Sequence, residues 1–221
     1  MKIEYLKIYT SRLKQQESFF REILELPVKW SSPHGFRVQA GYSVLEILED
    51  VSATPYHIAF HIPPDQVENA LSWVELRMTV LKDAGKKIVE FPSWKARSLY
   101  FRDSDGNVLE FISRENLFPV TEGAFSFEKI LGLAEIGVGT TNVGQQFNFL
   151  NLHFGLEKFT GDYKQFCATG DDEGLFIIID TGHKDWFPAG DKAYSSEFMT
   201  AFSVGSALFE VEYKNQTFQL Q

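Results

Sequence analysis

The sequence predicts an α+β fold built from repeated βαβββ modules. Three observations carry that prediction. Short segments with apolar residues at every second position alternate with segments spaced for one helix face. An Asp-Gly pair, Asp105-Gly106, sits between the apolar runs SLYFR and VLEFI, as in a hairpin. The order of elements then recurs at an offset of about 130 residues.

The first strand is IEYLKIY, with Leu6 and Ile8 on one face and Tyr5, Lys7 and Tyr9 on the other. QQESFFREIL places Phe19, Phe20, Ile23 and Leu24 on one helix face, and Pro27 stops it. FRVQAG and SVLEILE read as strands joined near Gly41 and Tyr42, with a poorly patterned fourth strand in 27–33. HIAFHI opens a second unit, alternating His57, Ala59 and His61 with Ile58, Phe60 and Ile62. Pro63 and Pro64 introduce a helix with the stripe Val67, Leu71 and Val74. KKIVEF and the Asp-Gly hairpin complete that unit. In VLEFI, Val108, Glu110 and Ile112 share one face, which sets a carboxylate among apolar neighbours.

Residues 117–126, LFPVTEGAFS, read as a linker. This divides the chain into a complete domain of two modules, 1–116, and a second domain, 127–221. In the second, LAEIGVG stands for IEYLKIY, FLNLHFGLEKF for the first helix, QFCATG for FRVQAG and GLFIII for SVLEIL. AFSV and ALFE echo AFHI and SLYF with only Gly205 and Ser206 between them, so this domain is expected to be truncated and to lack one helix.

Acids exceed bases by 30 to 21, for a formal net charge of −9, and no basic stripe interleaves with aromatics. Binding to a nucleic-acid backbone is therefore not expected. The single cysteine, Cys167, excludes an internal disulfide and suits a buried thiol in a reducing, cytoplasmic setting. The start, MKIEYLKIYTSR, lacks a signal peptide's apolar core, and the run LFIII is too short for a bilayer, so no membrane association is expected. No G-x-G-x-x-G or P-loop occurs; GVGTTNVG reads as a strand-to-helix turn.

Alternation sets Leu6, Ile8, Ile58, Phe60, Leu99, Phe101, Leu109 and Phe111 on the helix side of the first-half strands. The other side gathers Tyr5, Lys7, Tyr9, Arg37, Gln39, Glu46, His57, His61, Ser98, Tyr100 and Glu110. A polar face is the ordinary state of a half-solvated antiparallel sheet. Two histidines and three tyrosines beside carboxylates are instead the donors of a divalent metal site or a ligand cleft.

With the βαβββ order, the histidine opening HIAFHI and the DSDGN hairpin followed by glutamate, the chain resembles the vicinal oxygen chelate superfamily. Glyoxalases, extradiol dioxygenases, certain epimerases and bleomycin- or fosfomycin-resistance proteins belong to it. The resemblance covers the first half almost end to end, through KIEYLKIYTSRL, SFFREILEL, YHIAFHI and WKARSLYFRDSDGNVLEFI. It implies paired βαβββ modules forming curved mixed sheets with helices on the outer face. The implied metal-ligand places fall on His57 and Glu110, with Tyr5 where histidine, glutamine or glutamate is usual. In the second half they fall on Glu135, Met199 and Gln219, which would make that half a degenerate packing partner or lid.

The resulting expectation is an enzyme of the glyoxalase or dioxygenase kind, with a divalent ion (Fe, Mn, Ni or Zn) on His57 and Glu110. Its small-molecule substrate would carry vicinal oxygens. Tyr5 and His61 are the catalytic candidates for proton transfer, and Lys7, Tyr9 and Tyr100 the substrate-binding ones; a homodimer is a possible assembly. The alternative is a metal-free, drug-sequestering protein that holds a planar ligand against its aromatic side chains.

Overall fold

The computed structural model describes residues 1–221 and is mixed α+β. Its first module is β1 (Lys2–Thr10), α1 (Leu13–Ser18), β2 (Val28–Ser32), β3 (Gly35–Ala40) and β4 (Ser43–Glu49). The second is β5 (His57–Ile62), α2 (Val67–Glu75), β6 (Val89–Phe91), β7 (Ala96–Arg102) and β8 (Val108–Arg114). The third is β9 (Gly132–Thr140), α3 (Val143–Phe154), β10 (Lys158–Gly161), β11 (Phe166–Asp171) and β12 (Gly174–Asp180). A last group, β13 (Phe198–Val204), β14 (Ala207–Lys214) and β15 (Thr217–Leu220), contains no helix. No helix is long and apolar enough to cross a membrane.

Within each of the first three modules the opening strand lies parallel to the last: β1 to β4, β5 to β8 and β9 to β12. The modules join through their opening strands, antiparallel, and across the chain: β5 with β9 and β1 with β13. Two concave faces result, one between the second and third modules and one between the first module and β13–β15. All eight residues assigned to the helix side are buried in one core with Phe20, Val74, Leu150, Phe176 and Phe202. Alternation therefore set the two faces correctly, because a strand whose one face is covered cannot slip by one residue without exposing that whole face.

Several boundaries depart from the sequence reading for local reasons. The first helix starts at Leu13 and passes into a π-helical turn over Phe19–Ile23. FLNLHFGLEKF covers only the end of α3 and the start of β10, because the caps lie elsewhere. The Asn142 side chain accepts from the Gln145 N–H at 3.1 Å, and Gly155, at φ 66°, ends the helix. β2 is a mostly exposed edge strand, so it carries no alternation to read.

The Asp-Gly segment is a loop over 103–107 in place of a two-residue turn. Buried Asp103 accepts from the Asp105 and Asn107 N–H groups, both at 2.9 Å, and from the Asn107 amide at 2.6 Å. Asn107 Oδ1 in turn accepts from the Tyr56 N–H at 2.7 Å, and the Val108 N–H donates to the Tyr56 carbonyl at 2.8 Å. The loop thereby clamps the residue before His57 to the start of β8.

Candidate metal centre

Register places three residues in a row across three strands. Ala59 of β5 lies opposite Glu110 on β8 and opposite Glu135 on β9. Adjacent strands are about 4.8 Å apart, so two carboxylates flank a methyl group, and His57 stands two residues along on the same face. Side chains larger than alanine at the centre of this row would fill the space between the acids.

The three donors converge. His57 Nε2 is 3.5 Å from Glu110 Oε2 and 3.8 Å from Glu135 Oε2, and one ligand atom from each residue lies within 4.8 Å of the others. Both His57 separations are too long for hydrogen bonds. They suit donors that share an ion, since two atoms each about 2.1 Å from one ion lie within about 4.2 Å of each other. His57 Nδ1 donates to the Val108 carbonyl at 3.2 Å, which leaves the Nε2 lone pair toward the carboxylates.

The electrostatics agree with a cation site. Burial, then the charge of Glu135, raise Glu110 to about 7, opposed by His57 and the hydroxyls of Ser98 and Tyr100. Burial on its own lowers His57, but Glu135 and Glu110 outweigh it and the net shift is upward. Two carboxylates crowded in a low-dielectric site are relieved by a cation between them. One imidazole and two carboxylates suit Fe(II), Mn(II), Ni(II) or Zn(II), and three protein donors leave positions open toward the cavity.

That cavity measures about 330 Å³. Phe91, Trp94, Tyr100, Phe166, Trp186 and Phe187 wall it, Ile177 and Ile179 add aliphatic surface, and Thr160, Lys184 and Asp185 are polar. Trp186 belongs to the connection between β12 and β13 and lies over His57, ring centroids 5.2 Å apart. Gly137 makes room for it: a Cβ there would stand 2.6 Å from the Trp186 ring. Arg102 holds the same connection through both oxygens of Asp191, at 2.7 Å each. Tyr100, opposite Glu110, is pushed far above the usual phenol range by burial and then by Glu110 and Glu135, so it stays a hydrogen-bond donor.

The structure brings His57, Glu110 and Tyr100 together and leaves the other expected site residues elsewhere. Tyr5 lies on β1 in the other concave face, where its hydroxyl donates to Glu46, a carboxylate also held by Arg37 at 2.8 Å. Lys7 pairs with Met199 on β13 and with Glu46 on β4, and the Tyr9 N–H donates to the Tyr56 hydroxyl at 3.2 Å. None of Tyr5, Lys7 or Tyr9 lines the cavity, because β1 pairs with β13 and β5 with β9. His61 is fully buried beyond the cavity, donating from Nε2 to the Glu173 carbonyl at 3.1 Å. Of the second-half places, Glu135 joins His57 and Glu110, while Met199, opposite Lys7, and Gln219, opposite Glu212, lie on β13 and β15 away from them. The second half thus supplies a donor and is more than a lid. Glu135 had a visible signal, a lone charge in LAEIGVG; Trp186, Lys184 and Ile177 had none.

No protein-family model matches the sequence, and no curated protein is similar to it in sequence. Solved structures do match. A provisionally named dioxygenase from Bacillus subtilis subsp. subtilis str. 168 superposes with a TM-score of 0.59 at 14% identity, over 81% of this chain and 63% of that one. The chain therefore spans less than two thirds of that protein's length. A lactoylglutathione lyase from Agrobacterium tumefaciens matches at TM-score 0.43 and 19% identity, over 50% of this chain and 92% of its own. A glyoxalase/bleomycin resistance protein/dioxygenase from Nocardioides matches at 0.43 and 17%, over 56% and 90%. At such identities the likeness is one of fold alone.

Proposed function

We propose that the protein is a metal-dependent enzyme of the glyoxalase or dioxygenase kind that acts on a small substrate with adjacent oxygens. The observation that carries this reading is the convergence of His57, Glu110 and Glu135 at the floor of an aromatic-walled cavity. A divalent ion held there would supply Lewis-acid stabilisation of a developing oxyanion. The chain's own residues do the rest. The aromatic walls exclude water and seat a flat apolar body. Tyr100 offers a protonated hydroxyl beside the carboxylates, and Lys184 places a positive charge on the cavity wall. His61, outside the cavity, takes no part.

Elemental analysis of untagged protein tests the reading, followed by calorimetric titration of the apoprotein with Fe(II), Mn(II), Ni(II) and Zn(II). About one ion per chain for at least one metal is expected. Failure of all four to bind would sink it. The six aromatic rings would then favour the second reading, a metal-free binder of planar ligands, which quenching of Trp186 and Trp94 fluorescence would report.

A further inference from the structure

Arg114 closes β8, four residues beyond Glu110, and is buried with only 3% of its side chain exposed. Buried arginines are rare unless paired. The partner here is Glu135, also 3% exposed, whose Oε1 accepts from an Arg114 terminal nitrogen at 3.0 Å. The guanidinium is bracketed by Trp94 and Phe159, at 5.5 and 5.6 Å from the ring centroids, so it has little freedom to swing. Its second contact, Asp172 at 3.4 Å, is long, and that carboxylate is 58% exposed and screened by solvent. Glu135 is therefore the dominant partner.

We infer that Arg114 is a positioning residue for the metal centre: it occupies Glu135 Oε1 so that Oε2 alone faces His57 and Glu110. The inference rests on the metal-binding reading. Strand geometry explains why one strand does both tasks. Glu110 and Arg114 share a face of β8 but stand about 13 Å apart along it. Glu110 thus reaches the centre directly, and Arg114 reaches back across β5 to Glu135 on β9. Held at one oxygen, Glu135 acts as a single-oxygen donor of fixed orientation. Released, it would be free to rotate and to present both oxygens. The guanidinium plane matters as well as its charge, because stacking between Trp94 and Phe159 fixes the one N–H aimed at Oε1, where an ammonium on a flexible stem would not be held.

The test uses Co(II) as probe, read by calorimetry and by its visible absorption, which reports ligand geometry without any assay of turnover. Arg114→Gln is expected to lower Co(II) affinity by about 10- to 100-fold and to change the absorption band. Arg114→Lys keeps the charge and loses the stacked plane; a smaller loss of affinity with a similarly altered band is expected. Removing one member of a buried ion pair can itself unfold a protein. If Arg114→Gln does not fold, as judged by circular dichroism, Arg114→Lys decides. Folded variants with wild-type affinity and absorption, whatever their melting temperatures, would overturn the inference. A wild-type protein that takes up neither Co(II) nor any of the four ions would overturn it together with the metal reading, and the two failures are distinguishable on the first wild-type titrations.

Discussion

In the second module His57 opens the strand, Ala59 follows on the same face, and Glu110 lies beside Ala59 on the parallel neighbour. The first module repeats that arrangement with different residues: Tyr5, then Lys7, then Glu46 beside Lys7. The third repeats it again as Glu135, Gly137 and Ile177. Position for position, the first module has the means to place a carboxylate where the second does, and Glu46 is only 8% exposed. What differs is whether the acid's lone pairs are already taken. Glu46 has both oxygens bonded, by the Tyr5 hydroxyl and by Arg37, whereas Glu110 and Glu135 each keep Oε2 toward His57, Glu135 giving only Oε1 to Arg114. Opposite Tyr5 and Lys7, β13 offers Ala201 and Met199, and the one convergent set of three such donors is His57, Glu110 and Glu135. A shared backbone geometry is thus not enough for a site; the neighbours must leave at least one oxygen of each acid unoccupied.

The largest test of this contrast exchanges the two faces' opening residues. His57→Ala is expected to abolish the stabilisation that metal gives, while Tyr5→Phe and Tyr5→His leave it unchanged. At a hundredfold excess over Kd that stabilisation is about 2.7 kcal/mol, or about 5–10 °C in Tm for a chain of this size. Scanning calorimetry with and without Zn(II) measures it. A Tyr5→His variant with raised metal affinity would mean that the two faces are not independent.

Next in size, Ile177→Glu gives the third module the carboxylate that Glu110 gives the second. The apoprotein should lose stability, because a charge is buried without a partner, and metal affinity should rise about tenfold or more. Calorimetry of the apo and metal-loaded variant reads both effects.

His61 supplies a smaller and pH-dependent effect. Burial pushes it down to about 3, while an unfolded imidazole titrates near ~6.5. Between these values the unfolded chain binds a proton that the folded chain refuses, so stability falls as pH drops from ~6.5 toward ~3, by up to ~1.4 kcal/mol per pH unit. His61→Gln should flatten that slope in urea melts without altering metal uptake at pH 7. The smallest effect is expected for Tyr213→Phe. The Tyr213 hydroxyl, on β14, donates to the Gly139 carbonyl on β9 at 2.7 Å, and its loss should lower stability by about 1 kcal/mol. Metal affinity should not move, since this contact ties the two faces together away from the donors.

Alternation made much of the fold legible, because a period of two records which face of a strand is covered. It identified β1, β5 and β8, and it put His57, Tyr100 and Glu110 on the same side. It carried no information on which opening strands would pair. That choice is made by contacts between residues far apart in the chain, such as Ala59 with Glu135. Alternation thus gives Tyr5 the right side of its strand but not its cleft, and it gives no reason to set Glu135 apart from Met199 and Gln219. Arg114 and Trp186 were invisible for a related reason. A buried cation and a ring folded back from a connection owe their places to partners that no local pattern encodes.

The pairing of β5 with β9 also bears on how the chain reaches its native state. All six residues of β5, HIAFHI, are buried, and its second edge is covered only by a strand that begins seventy-five positions after it starts. During synthesis, at roughly 5–20 residues per second, β5 waits several seconds with that edge unpaired. β1 waits far longer for β13, which begins at Phe198. An apolar edge held open is a template for another chain. The growing polypeptide is thus most exposed to mispairing before β9 and β13 arrive, and a truncated first half should aggregate through the β5 edge where the full chain stays dispersed.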